Sequence, residues 1–113
     1  MRSLTRKRDF ESVFKAGIAL ASKYLVIYAK NNKFDYNRLG LSVSKKTGGA
    51  VKRNRIKRLL REAMRKLSGE LPPNYDFVIV ARRASAEGRL DDFIRDIKKF
   101  IKKLKKQNNF SLE

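Results

Sequence analysis

Between Ala50 and Leu67, the residues Ile56, Leu59, Leu60, Ala63, Met64 and Leu67 recur at i, i+3, i+4, i+7, i+8 and i+11. Only a helix places that set on one face, so this segment is expected to be helical and to bury one stripe. The segments on either side have a different period. Arg38-Leu39-Gly40-Leu41-Ser42-Val43-Ser44-Lys45 alternates strictly, with Leu39, Leu41 and Val43 on one side and the small Gly40, Ser42 and Ser44 on the other. Tyr75-Asp76-Phe77-Val78-Ile79-Val80-Ala81 is a second β-prone run. A strand, an amphipathic helix and a strand in succession leave few architectures, because the helix must lay its stripe on a sheet that contains the strands.

The rest of the chain fits that frame. Phe10, Val13 and Phe14 share a face within Arg8 to Gly17, a short helix closed by Gly17. Ile18 to Lys30 reads as one short and one longer strand, and Tyr24-Leu25-Val26-Ile27-Tyr28-Ala29 is apolar on both parities. A polar turn covers 31–37, Thr47-Gly48-Gly49 breaks the chain before the central helix, and Ser68-Gly69 with Pro72-Pro73 ends it. Leu90, Phe93, Ile94, Ile97, Ile101 and Leu104 mark a long last helix, with Ser85 as its expected cap and a frayed tail from about 107. These elements predict an α+β sandwich of three helices and a four-stranded sheet in the order α-β-β-β-α-β-α. With no linker or repeat and only 113 residues, one domain over 1–113 is expected.

Lys and Arg number 29 against 11 Asp and Glu, a net charge of +18. That excess repels itself in the folded state and points to a polyanionic partner, with nucleic acid foremost. The chain has no His and no Cys, which excludes Ser-His-Asp and Cys-His nucleophiles, Cys/His zinc sites, iron–sulfur clusters and disulfides. No apolar run reaches the ~18 residues of a membrane span, and the start Met1-Arg2-Ser3-Leu4-Thr5-Arg6-Lys7-Arg8 leads into no signal-peptide core. A cytoplasmic location without membrane contact is the resulting expectation.

Opposite the apolar stripe, the central helix carries Asn54, Arg58, Arg61 and Arg65, flanked by Arg53, Arg55 and Lys57. A merely solvated face usually intersperses acids for i,i+4 support, yet Glu62 is the sole acid between Lys45 and Lys66. Arg forks match phosphate bidentately and Asn both donates and accepts at a sugar or base edge, so this face suits RNA. Upstream, Ser44-Lys45-Lys46-Thr47-Gly48-Gly49-Ala50 is a small basic loop entering the helix, readable either as an anion cradle or as a plain connection. Glu87, Asp91, Asp92 and Asp96 raise a metal-dependent nuclease as an alternative. Their place in the first half of a helix whose second half is lysine-rich reads more simply as helix-dipole and ion-pair partnership.

Arg53-Asn54-Arg55-Ile56-Lys57-Arg58-Leu59-Leu60-Arg61-Glu62, preceded by Leu41-Ser42-Val43-Ser44-Lys45-Lys46, resembles the RNR motif and leading strand of the bacterial ribonuclease P protein component. Arg8-Asp9-Phe10 with Val13-Phe14 and Gly17, the strand ending at Tyr28, and Asp76-Phe77-Val78-Ile79-Val80-Ala81-Arg82 follow in the family's order and spacing. The resemblance implies a left-handed crossover around the central helix, against the usual right-handed rule. It also implies a subunit that joins a catalytic RNA and assists endonucleolytic removal of the 5′ leader from precursor tRNA.

On that resemblance, Arg53, Asn54, Arg55, Lys57, Arg58, Arg61 and Arg65 face the catalytic RNA. A groove of Phe10, Phe14 and Tyr28, with Arg6, Lys7, Ser44, Lys45 and Lys46 nearby, takes the precursor-tRNA leader on a separate surface. For any single aromatic, core packing is the default alternative. The protein itself is expected to hold no cofactor or metal and no small-molecule substrate, with Mg²⁺ serving the RNA of the holoenzyme. A ribosomal or RNA-chaperone protein without a part in cleavage is the competing function.

Overall fold

The computed structural model describes residues 1–112, with side chains through Gln107. Its elements are β1 (Arg2–Ser3), α1 (Lys7–Ala16), β2 (Ile18–Ala21), β3 (Leu25–Asn31), β4 (Arg38–Ser42), α2 (Ala50–Lys66), β5 (Tyr75–Ala81) and α3 (Leu90–Leu112). Short 3-10 turns lie at Lys45–Thr47, Ser68–Glu70 and Arg83–Glu87. Where a frayed tail is expected from about 107, the backbone is helical through Leu112, and the side chains beyond Gln107 lie outside the described set.

The sheet has five strands, in the order β1-β4-β5-β3-β2, and not the four expected. The additional strand is β1, whose two residues pair parallel with β4 as Arg2↔Arg38 and Ser3↔Leu39. A two-residue strand held by main-chain bonds has no side-chain period to detect, so nothing in the local pattern betrays it. β4 and β5 are parallel neighbours joined through α2, while β5–β3 and β3–β2 are antiparallel.

Side-chain alternation on the sheet builds two layers of unequal size. Leu25, Ile27, Ala29, Phe77, Ile79 and Ala81 face α2 and α3, where Ile56, Leu60, Ala63 and Met64 meet Phe93, Ile97 and Phe100 in the main core. The opposite parity, Tyr28, Val78 and Val80, packs with Val13 and Phe10 of α1 and with Leu4. This explains why the β3 segment is apolar on both parities, since each face is covered by a helix. The strict alternation of β4 has a similar cause. A Cβ at Gly40 would come within 2.6 Å of the Phe10 ring and 2.9 Å of Leu4, so the small face of β4 is where α1 and the N-terminal segment lie down.

Gly17 closes α1 as expected, its N–H donating to Val13 O at 2.8 Å. Its φ of −81° is ordinary. Glycine is needed because a Cβ would sit 2.5 Å from Val13 O and 2.9 Å from Ala29 O, both backbone atoms that cannot swing away. The expected Ser85 cap is not found. Ser85 lies fully buried in the Arg83–Glu87 turn, and its hydroxyl has no partner among the described residues. At the start of α3, the Asp92 carboxylate instead accepts from the Arg89 N–H at 2.9 Å, and Arg95 donates to it at 3.0 Å. The backbone N–H first, and the guanidinium second, hold the Asp92 carboxyl below its ordinary range.

Candidate nucleic-acid interface

α2 buries Ile56, Leu60, Ala63 and Met64 and turns its basic face outward. Asn54, Arg58, Arg61 and Arg65 are exposed, while Arg53, Arg55 and Lys57 are half-buried at the margins. The margins differ in character. Arg55 donates to the Gly88 carbonyl at 3.3 Å, tying α2 to the segment before α3, and the Nε of Arg53 is buried without a partner. Arg58, Arg61 and Arg65 make no ion pair or hydrogen bond among the described residues, leaving their donors free for an external anion.

Phe10, Phe14 and Tyr28 lie together, the arrangement that the family resemblance implies. Phe14 stands edge-on to Tyr28 with ring centroids 4.9 Å apart, and Phe10 lies 6.3 Å from Phe14. They are not equally available. Phe14 is 40% exposed, whereas Phe10 fills the space above Gly40 and Tyr28 is half-buried. Arg6 and Lys7 are exposed at the start of α1, with Arg6 in the N-cap position.

The Ser44–Lys46 group is carried by a separate element. The Lys45–Thr47 turn lies beyond the C-terminal end of β4 and packs against α2 and the Arg83–Glu87 turn. It is a built turn. Ser44 Oγ accepts from the Lys46 N–H at 3.3 Å, Thr47 Oγ1 donates to Ser44 O at 2.7 Å, and Gly48 has φ +139°, a conformation that favours glycine. Lys45 and Lys46 remain exposed.

The two surfaces approach each other at one point. Phe10, Leu4, Leu39 and Leu41 line the same cavity as Lys57, Arg61 and Arg65 of α2, a space of about 640 Å³ beside the N-terminal segment. Phe10 and the basic face of α2 therefore border one cavity at the β4 edge of the sheet, while Phe14 and Tyr28 lie outside it.

One cluster escaped the sequence reading. Arg38 of β4 forks onto Asp76 of β5, Nε to Oδ1 at 2.8 Å and Nη2 to Oδ2 at 2.6 Å, and its Nη1 reaches Asp9 of α1 at 3.4 Å. Asn32 also donates to Asp76 at 2.9 Å, and the Arg38 guanidinium lies 4.8 Å over the Phe34 ring. Burial alone pushes the Asp76 carboxyl up, but the bonds from Arg38 and Asn32 and the guanidinium charge outweigh it and hold the group low. The Arg38 pKa is raised mainly by its hydrogen bond to Asp76. This latch ties the first turn of α1 to the sheet and so sets where Phe10 and Phe14 stand. A charged residue inside an otherwise apolar strand was the available signal, because a buried Asp needs a partner.

Two acids of α3 are committed within the fold. Asp92 serves the helix start, and the buried Asp96 accepts from the Tyr24 N–H at 3.1 Å. Among the described residues, no three His, Cys, Asp or Glu side chains are grouped to hold a metal ion, and no helix is long and apolar enough to cross a membrane.

The Ribonuclease P family model matches residues 1–105. The chain is 45% identical over 103 residues to the ribonuclease P protein component of Clostridioides difficile (strain 630), covering 90% of each chain. It is 42% identical over 84 residues to that of Thermotoga petrophila, covering 74% of this chain and 72% of the relative. Among solved structures, the Staphylococcus aureus RNase P protein superposes with a TM-score of 0.82 at 32% identity, over 93% of this chain and 96% of that one. The Thermotoga maritima RNase P protein superposes with a TM-score of 0.80 at 32% identity, over 91% and 97%. With sequence and fold matched over nearly its whole length, the chain belongs to the ribonuclease P protein family.

Proposed function

We propose that this subunit of ribonuclease P, the endoribonuclease of tRNA 5′ maturation, divides its work between two surfaces. Arg53, Asn54, Arg55, Lys57, Arg58, Arg61 and Arg65 engage the RNA subunit. Phe10, Phe14 and Tyr28 take the single-stranded leader of precursor tRNA, with Arg6, Lys7, Ser44, Lys45 and Lys46 supplying phosphate contacts. The observation that carries this reading is the pairing of an unneutralised Arg face on α2 with an exposed aromatic, Phe14, supported edge-on by Tyr28. Arginine forks bind backbone phosphates, and aromatic faces stack bases whatever their identity, which suits leaders of varied sequence. Hydrolysis and its Mg²⁺ belong to the RNA, and the protein positions the substrate and neutralises charge. The complex works in the cytoplasm.

Precursor-tRNA cleavage at low Mg²⁺ is expected with protein and RNA together and with neither alone. Phe14→Leu keeps most apolar volume but removes the exposed stacking plane. It should leave assembly with the RNA intact and reduce the holoenzyme's preference for leader-bearing over mature tRNA by ~1–3 kcal/mol, measured with matched binding reporters. Full preference in the folded variant would return Phe14 to a packing role. Cleavage by RNA alone at the same rate would remove the assisting role altogether.

A further inference from the structure

Three cations meet an apolar floor at the β4 edge. Lys57, Arg61 and Arg65 stand one helical turn apart, about 6 Å of rise each, along one side of α2. None has an ion-pair or hydrogen-bond partner among the described residues. The cavity they rim is lined by Leu39 and Leu41 from the α2 side of β4 and by Leu4 and Phe10 from the α1 side, and no acidic side chain lines it. Its volume of about 640 Å³ falls in the range of open clefts that bind small organic groups.

The outer wall is held in place before any ligand arrives. Arg2 N–H donates to Asn37 O at 3.0 Å and Leu4 N–H to Leu39 O at 2.9 Å, fixing the N-terminal segment along β4. The Arg2 guanidinium sits 4.2 Å over the Tyr36 ring, which is itself stacked on Phe34. A bare phosphate would use the cationic rim and leave the floor idle. An apolar ligand would leave three unpaired cations. A nucleotide satisfies both, with a flat base for the floor and phosphates on either side for the rim.

We propose that this cavity receives one extruded nucleotide of the RNA subunit, its base against Leu39 and Leu41 and its flanking phosphates on Lys57, Arg61 and Arg65. The inference rests on the RNA-subunit reading above and adds to it a base contact between the two surfaces. It implies that α2 does more than track a phosphate backbone, since it also pins one unstacked base at a fixed point.

Thr5 and Ser3 line the cavity from the N-terminal wall and are exposed, so Thr5→Trp fills it without touching the cations, and Ser3→Trp is a second filler. Each full-length variant is checked for thermal stability and then bound to the RNA subunit across a salt series, with base-specific chemical probing of the complex. The expected result is about a tenfold loss of affinity with an unchanged salt slope, because the phosphate contacts persist. One base protected in the wild-type complex should become reactive. Wild-type affinity in both folded fillers would overturn the proposal, as would a loss of affinity accompanied by a flattened slope. Adenosine 5′-monophosphate and inorganic phosphate, titrated against the Leu39 and Leu41 methyl signals of the assembled complex, test the source. Shifts caused by the mononucleotide there would mean that RNA does not fill the cavity. Failure of the wild-type protein to bind the RNA would instead remove the underlying reading.

Discussion

Replacing Arg58, Arg61 and Arg65 together with Ala is expected to weaken binding to the ribonuclease P RNA by ~10²–10³-fold at about 0.15 M salt. It should also flatten the dependence of log K on log salt by roughly 2–3 units, since each lost phosphate contact forgoes the release of about one counterion. These three residues are the clean choice on α2. Their side chains are exposed and make no bonds within the described structure, so truncation removes only what they do outside it. Arg53 and Arg55 are poorer probes, because the Arg53 Nε is buried and Arg55 holds the Gly88 carbonyl. Ala also has the higher helix propensity, so circular dichroism should register no loss of α2. An unchanged salt slope in the triple variant would place the RNA contact elsewhere.

What the sequence makes legible follows from the range of the interactions involved. The apolar stripe of α2 repeats within one element, so its helix and its inward face can be read from Ile56 to Leu67 directly. The Phe10–Phe14–Tyr28 cluster was partly legible, because Phe10 and Phe14 share a helical face by spacing, whereas the placing of Tyr28 against that face came from the family resemblance. By contrast, β1 exists only because Arg2 and Ser3 find the edge of β4, some 36 residues along the chain, through backbone bonds that any sequence can make. The cap of α3 was misplaced for a local reason. Ser85 is a good capping residue in the abstract, but the chain makes a separate 3-10 turn through it, and Asp92 does the work from inside the helix. The meeting of Phe10 with Lys57, Arg61 and Arg65 depends on how α1 and α2, on opposite faces of the sheet, wrap the same edge strand. No periodicity encodes that.

The Arg38–Asp76 pair should be the most costly single ionic contact to break. Arg38→Ala leaves the Asp76 carboxylate, with only 9% of its side chain exposed, with the Asn32 hydrogen bond and the more distant Lys30 charge. Removing one partner of a buried pair typically costs ~3–5 kcal/mol, so denaturant unfolding should detect a loss of that order. Removing one positive charge from a molecule at +18 works in the opposite direction. That relief is small at physiological salt, where charges more than ~8 Å apart are largely screened, so the unpaired carboxylate dominates. Arg38→Lys, which keeps the charge but loses the fork, should fall between the two. pH supplies an independent check. The folded-state pKa of Asp76 lies below its ordinary value of 3.8, so its stabilisation is fully present above that pH and is lost as pH falls through the lower folded value. In Arg38→Ala the buried carboxyl lacks its hydrogen-bonded cation, and protonation relieves it. The stability gap between wild type and variant should therefore be widest near neutrality and close steadily as pH drops below about 4. A gap that stays constant down to pH 2 would mean that Arg38 stabilises the fold by packing on Phe34, and that the latch between α1 and the sheet is not electrostatic.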